Sequence, residues 1–128
     1  IMAIFVLKPF DRNLKGTGID NDKIRQAARE VIAGYYEASL GGHVYKKRIP
    51  LEAGKSGGAR AVVVFKLQQH LFFVNGYPKS AAKKAGKEIS ASELEAYRKI
   101  AAELFTMSPE IVEKALAAGK MREVKFDG

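Results

Sequence analysis

Ala61-Val62-Val63-Val64-Phe65-Lys66-Leu67-Gln68-Gln69-His70-Leu71-Phe72-Phe73-Val74 is the stretch that decides how this chain folds. Two apolar runs, neither alternating with polar residues, flank a short polar connection from Lys66 to His70. Runs rich in β-branched and aromatic residues without alternation mark strands covered on both faces, and a connection this short joins neighbouring strands as a hairpin. The pair is expected to be the spine of a sheet with helices packed on it.

Working outward, Val44 to Ile49 reads as a further strand, preceded by the Gly41-Gly42 turn and stopped by Pro50. Met2 to Leu7 is too short for a signal peptide and is followed, not preceded, by Lys8, so it reads as the first strand. Pro9 and Gly16-Thr17-Gly18 break the pattern after it. Asp20 then offers an N-cap to a helix whose face carries Ile24, Ala27, Ala28, Val31 and Ile32, closed by Gly34. Ser90-Ala91-Ser92-Glu93 has capping-box spacing and opens a helix with Leu94, Tyr97, Ala101, Leu104 and Phe105 on one face. Ser108-Pro109-Glu110 opens another, with Ile111, Val112, Ala115 and Leu116 apolar and Gly119 at its end. Met121 to Phe126 reads as an added edge strand. Leu51 to Gly58 and Tyr77 to Glu88 read as loops. At 128 residues, with no internal repeat or linker, residues 1–128 are expected to form one domain.

Charge is distributed unevenly. From Gly42 to Lys87 ten lysines and arginines face a single acid, Glu52, giving +9, while the rest of the chain carries −1 of the net +8. The excess positive charge coincides with the sheet-forming part of the chain, which is how a polyphosphate-binding face is built on strands. No stretch approaches the roughly 20 apolar residues of a membrane span, and the basic residues lie in strands and loops rather than opposite an apolar helix face, which argues against a membrane surface. With no cysteine, disulfide and thiolate chemistry are excluded. The two histidines, His43 after a turn and His70 at the hairpin, have no partner at metal-ligand spacing, so no metal or cofactor is expected. Gly54-Lys55-Ser56-Gly57-Gly58 ends like a phosphate loop, but it lacks the upstream glycine and precedes a strand rather than a helix.

Alternation along a strand puts Lys46 and Arg48 on one face and Lys47 on the other. Arg60 opens the central strand, and if the two strands pair, Lys46, Arg48 and Arg60 converge. Three cations so placed repel one another unless an anion sits among them. For base stacking the candidates are Tyr45, Phe73 and Tyr77, with Tyr77 at a strand exit between Gly76 and Pro78.

Three ordered blocks, Leu40-Gly41-Gly42-His43-Val44-Tyr45-Lys46-Lys47-Arg48-Ile49, Gly54-Lys55-Ser56-Gly57-Gly58-Ala59-Arg60-Ala61 and Phe73-Val74-Asn75-Gly76-Tyr77-Pro78-Lys79-Ser80, resemble the HigB branch of the RelE-type toxins of bacterial toxin-antitoxin systems. The likeness extends to Ala118-Gly119-Lys120-Met121-Arg122-Glu123-Val124. It implies an α+β fold, with N-terminal helical structure packed on a small antiparallel-rich sheet and C-terminal helices. It also implies a cytoplasmic, ribosome-dependent endoribonuclease that cuts translated messenger RNA, is neutralised by a cognate antitoxin and is monomeric when free. Relative to the family pattern, Tyr77-Pro78 stands where Phe-Ala is usual, and Ala81-Ala82-Lys83-Lys84 replaces acidic and polar residues.

RNA carries its own nucleophile, the 2′-hydroxyl, so cleavage requires orientation of that oxygen and stabilisation of developing charge rather than a metal. Cationic neighbours favour the neutral form of an amine, which makes Lys46 the candidate base. Arg60 is the candidate for transition-state charge, and Tyr77 for stacking on a base or donating a proton. Arg48, Lys47, Lys79, Lys83 and Lys84 are the expected RNA-binding residues. Two rival readings use the same charge differently: a ParE-like poison of DNA gyrase acting by protein contact, and a non-catalytic RNA-binding domain.

Overall fold

Every residue of the strand Ala59–Phe65 is buried, and both ends of the chain contribute to the reason. The computed structural model describes residues 2–51, 58–79 and 89–127. Residues 52–57, within the first expected loop, and Lys83 and Lys84, within the second, lie outside the described residues. Among those described, six strands form one sheet: β1 (Ile4–Leu7), β2 (Ala38–Ser39), β3 (Val44–Ile49), β4 (Ala59–Phe65), β5 (Leu71–Pro78) and β6 (Met121–Val124). Their spatial order is β2-β3-β4-β5-β1-β6. All adjacent pairs are antiparallel except β1 with β5. The hairpin β4–β5 occupies the centre, as its uninterrupted apolar runs require, and β6 forms the edge beyond β1.

Helices cover both faces. Helix α1 (Lys8–Asn13) and helix α2 (Asn21–Ile32) pack Phe10, Leu14, Ile24, Ala27, Ala28 and Val31 against one face, where β4 presents Ala59, Ala61 and Val63. Helix α3 (Ala91–Phe105) and helix α4 (Pro109–Ala117) cover the other face, with Tyr97, Ala101, Leu104, Phe105 and Val112 against Val44, Val62, Val64 and Phe72. The fold is α+β with a mixed sheet. It gains two elements that the sequence pattern does not announce, α1 and β2. Pro9 lies in the first turn of α1, where a missing N–H costs nothing, so it opens a helix instead of breaking the chain. Ile111 is half exposed rather than part of the packed face of α4.

The caps follow the sequence. The Asp20 side chain accepts from Lys23 N at 2.9 Å, and Ser90 and Glu93 complete a reciprocal capping box. At the hairpin, His70 Nδ1 accepts from Ala3 N at 3.1 Å and the ring meets Phe5 edge-on at 5.0 Å. Burial holds this imidazole below the ordinary histidine range, so it is a structural, neutral acceptor.

Candidate nucleic-acid interface

The site is built where β3, β4 and β5 end together. Arg48 pairs directly across from Arg60, and Arg60 directly across from Tyr77, so three side chains stand in a row over adjacent strands on the face shared with Val62 and Val64. Lys46 lies two residues back along β3, opposite Val62, on the same face. The convergence of Lys46, Arg48 and Arg60 expected from alternation is therefore present. Tyr77 reaches this face because β4 and β5 shift register between Val62 and Val63: Val63 pairs with Phe73, but Val62 pairs with Asn75. The extra residue on β5, Val74, reverses the alternation beyond it. Without that bulge Tyr77 would share the α1/α2 face with Phe73.

Two glycines make the arrangement possible. Gly58, at φ +81°, leads into β4; a Cβ there would press on the Ile49 carbonyl oxygen and come within 3.1 Å of Pro50 Cα. Its carbonyl accepts from Lys79 N at 3.0 Å, which ties the residue after β5 to the start of β4. At Gly76 a Cβ would lie 2.7 Å from Leu14 Cδ1 and 3.0 Å from Phe10, so α1 packs directly on the backbone beside Tyr77. Asn75 locks the same point. Its Oδ1 accepts from Asn13 Nδ2 and Gly76 N, each at 2.8 Å, and its Nδ2 donates to Tyr97 Oη at 2.9 Å. Burial raises the Tyr97 phenol above its usual range, which keeps it neutral as the acceptor.

The anion that three converging cations call for is supplied by the chain itself. Glu37 Oε1 lies 2.7 Å from Arg60 Nε, an ion pair without the alignment of a hydrogen bond, and 4.0 Å from Lys46 Nζ. The Arg60 side chain is 4% exposed and that of Glu37 34%. The guanidinium is thus nearly covered, and its carboxylate partner keeps contact with solvent. Nothing in the charge count over 42–87 pointed to Glu37. The hint available was its place in the short segment between α2 and β3, which brings it back along the edge of β3, where Glu37 N donates to Lys46 O at 2.8 Å.

Lys47 does not join this face. It is buried beneath α2, with its ammonium 2.6 Å from Glu30 Oε1, and this hydrogen bond holds the Glu30 carboxyl below the ordinary range. The structure places Lys47 apart from Lys46 and Arg48: the α2 face carries its own acid, and the strand's alternation turns Lys47 toward it. Phe73 is fully buried in the core, so it is not a stacking residue. Tyr45 is half-buried against the α1/α2 side and meets Tyr36 at a tilt of 46°, with ring centroids 4.6 Å apart. Arg48 is exposed and also borders a cavity of about 210 Å³ with Lys23, Gln26 and Glu30.

A roomier groove of about 580 Å³ lies elsewhere, between α1, the end of α4 and β6, lined by Lys8, Asp11, Arg12, Lys15, Leu116 and Arg122 among others. Arg122 there holds Asp11 through two hydrogen bonds of 2.6 and 3.1 Å and donates to Asn21 at 2.9 Å. That chelate ties α1, α2 and β6 together. No group of three or more His, Cys, Asp or Glu residues among those described is arranged to hold a metal ion, and no described helix is long and apolar enough to cross a membrane.

Comparison with known proteins agrees with this geometry at the level of family. Residues 2–124 match the family described as RelE toxin of RelE / RelB toxin-antitoxin system. No curated protein matches the chain, and no solved structure does. The match runs from β1 through β6 and so takes in Lys46, Arg48, Arg60, Tyr77 and Lys79. The chain belongs to the RelE toxin family of toxin-antitoxin systems.

Proposed function

We propose that this toxin, a single domain over residues 1–128 of the HigB branch, is a ribosome-dependent endoribonuclease of the cytoplasm that cuts translated messenger RNA and is silenced by a cognate antitoxin. The observation that carries the reading is the row Arg48–Arg60–Tyr77 with Lys46 beside it, at one end of a rigid sheet. The scissile phosphate enters over Lys46 and Arg60. Arg48 and Lys79 hold the flanking backbone, and Lys83 and Lys84, four and five residues further along the sequence, add RNA-binding charge.

In the reaction the 2′-hydroxyl attacks the adjacent phosphorus in line, its proton passing to Lys46, while Arg60 stabilises the charge that grows on the non-bridging oxygens. Tyr77 donates the proton that leaves with the 5′-oxygen. Glu37 holds Arg60 in place through their ion pair. Such a site reads phosphate and geometry rather than sequence, so the ribosome supplies the extended message. The free toxin is a monomer and the chemistry runs without a metal.

The test is inducible expression of wild type and Arg60→Ala, with growth and primer-extension mapping of cut sites. Cuts confined to translated regions and absent in the variant are expected. Growth arrest with intact messages and damaged DNA would favour a gyrase poison; a wild type that binds RNA without cutting it would favour a binding domain.

A further inference from the structure

The groove between α1, the end of α4 and β6 has the plan of a protein interface, an apolar floor inside a charged rim, and none of the groups assigned to the reaction lines it. Its volume of about 580 Å³ falls within the roughly 300–1,000 Å³ of clefts that hold a ligand. Val6 and Met121, both buried, close the floor, and the half-buried Leu116 stands beside them. Lys8, Arg12 and Lys15 line the same groove and are exposed. Lys8 and Arg12 stand one turn apart on α1, and Lys15 follows just after the helix. None of these three cations forms an ion pair with a described residue. Asp11 is the single acid in the lining, and Arg122 already holds it. Like charges gathered around one groove repel, and an anionic occupant relieves that repulsion.

We propose that this groove is the docking site for an acidic, amphipathic segment of the antitoxin, which sets apolar side chains against Leu116 and the floor and carboxylates against Lys8, Arg12 and Lys15. Both halves of the lining select the occupant. A nucleic-acid backbone would use the cations and leave the apolar floor unfilled. A second copy of a chain carrying +8 would bring like charge to the rim. A segment apolar on one side and acidic on the other satisfies floor and rim together. The assignment rests on the proposed silencing by an antitoxin and adds to it the surface and the chemistry of the contact. Because Lys8, Arg12 and Lys15 stand apart from the row Arg48–Arg60–Tyr77 and from Lys46, docking can be altered while the reacting groups stay intact.

The experiment measures binding of a fluorescent twelve-residue peptide, with Leu at every third or fourth position and Glu elsewhere, to wild type, Lys8→Glu/Arg12→Glu/Lys15→Glu and Lys8→Gln/Arg12→Gln/Lys15→Gln. Control peptides carry Gln for Glu or Ser for Leu, and circular dichroism melting checks that each protein is folded. Methyl NMR of Leu116 and Met121 locates the bound peptide. Messenger RNA cleavage, and rescue of growth by the cognate antitoxin, are scored for the same toxins. Wild type is expected to bind the peptide with shifts at both methyls, and to bind each control peptide more weakly. Reversal of three rim charges should weaken binding about 10- to 100-fold at low salt, the Gln variant less, and the difference should shrink as salt rises. Antitoxin rescue should be lost in the Glu variant while its cutting stays at the wild-type level. Peptide binding that leaves Leu116 and Met121 unmoved, or full rescue of the Glu variant, would overturn the docking site. A Glu variant that loses RNA binding and cleavage in step would overturn it in favour of an RNA track, and a wild-type dimer abolished by the variant in favour of a contact between copies. If wild type cuts no RNA, the nuclease reading fails, and peptide binding with its methyl shifts still decides the docking site.

Discussion

Replacing Gly58 by alanine gives the sharpest link between backbone geometry and the site. Gly58 sits at φ +81°, a left-handed conformation that costs an L-residue roughly 1–2 kcal/mol. The added methyl also meets the Ile49 carbonyl oxygen and Pro50 Cα, which are backbone atoms of β3 and its exit and cannot rotate away. Forcing that backbone aside costs about 1–3 kcal/mol more. The sum, about 2–5 kcal/mol, is a large share of the roughly 5–15 kcal/mol that holds an ordinary domain folded. Thermal and urea unfolding should therefore show a melting temperature lowered by roughly 6–20 °C for Gly58→Ala. Because the strain lies two residues from Arg60 and at the carbonyl bonded to Lys79 N, RNA cleavage by the folded fraction should fall as well. A variant within 0.5 kcal/mol of wild type, taken as about the scatter of a neutral surface change, would refute the reasoning.

Adjacent lysines should behave oppositely. Lys46→Ala is expected to lower cleavage at least tenfold with little effect on melting, whereas Lys47→Ala, which removes the buried partner of Glu30 on α2, should lower stability and leave the chemistry of the remaining folded protein near wild type. Gly76→Ala should destabilise by about 1–3 kcal/mol in denaturant unfolding, less than Gly58→Ala because its neighbours Leu14 and Phe10 are side chains that yield partly. Glu30 has a folded pKa below its ordinary 4.5, so its stabilisation is fully present above about that pH and is lost as pH falls through the folded value; Glu30→Gln should flatten this acid limb of a stability profile. His70 is likewise depressed below 6.5, so stability should decline as pH falls below that value, and His70→Asn, which keeps an acceptor for Ala3 N, should remove the decline.

Much of the architecture was readable from pattern. The uninterrupted runs of β4 and β5 report cover on both faces because any exposed position would have admitted a polar residue, and α1/α2 and α3/α4 supply that cover. The strand Val44–Ile49 and the helices opening at Asp20, Ser90 and Ser108 follow from turn and cap chemistry that acts within a few residues. Helix α1 was hidden because Pro9 is compatible with both a break and a first turn, a choice settled by Phe10 and Leu14 packing on Gly76 far along the chain. The cation row was legible by alternation as far as Lys46, Arg48 and Arg60, and so was the opposite facing of Lys47. The burial of Lys47 against Glu30 depended on where α2 docks, and the side on which Tyr77 stands depended on the bulge at Val74, neither of which leaves a local signature. Glu37 escaped notice for the same reason: its value comes from the return of the chain along β3.

The most direct test of the central claim compares binding with chemistry for Arg60. Wild type, Arg60→Ala and Arg60→Lys would be measured for affinity to programmed ribosomes and for single-turnover cleavage, with folding checked by circular dichroism. Loss of a group that stabilises developing charge typically lowers the chemical step about 10²–10³-fold. The expected result is a fall of that order in rate for Arg60→Ala, a smaller fall in affinity, and only partial rescue by lysine, which keeps the charge but not the two-pronged grip. Equal falls in affinity and rate, or cleavage that survives in a folded Arg60→Ala protein, would contradict a catalytic site at the end of β3-β4-β5.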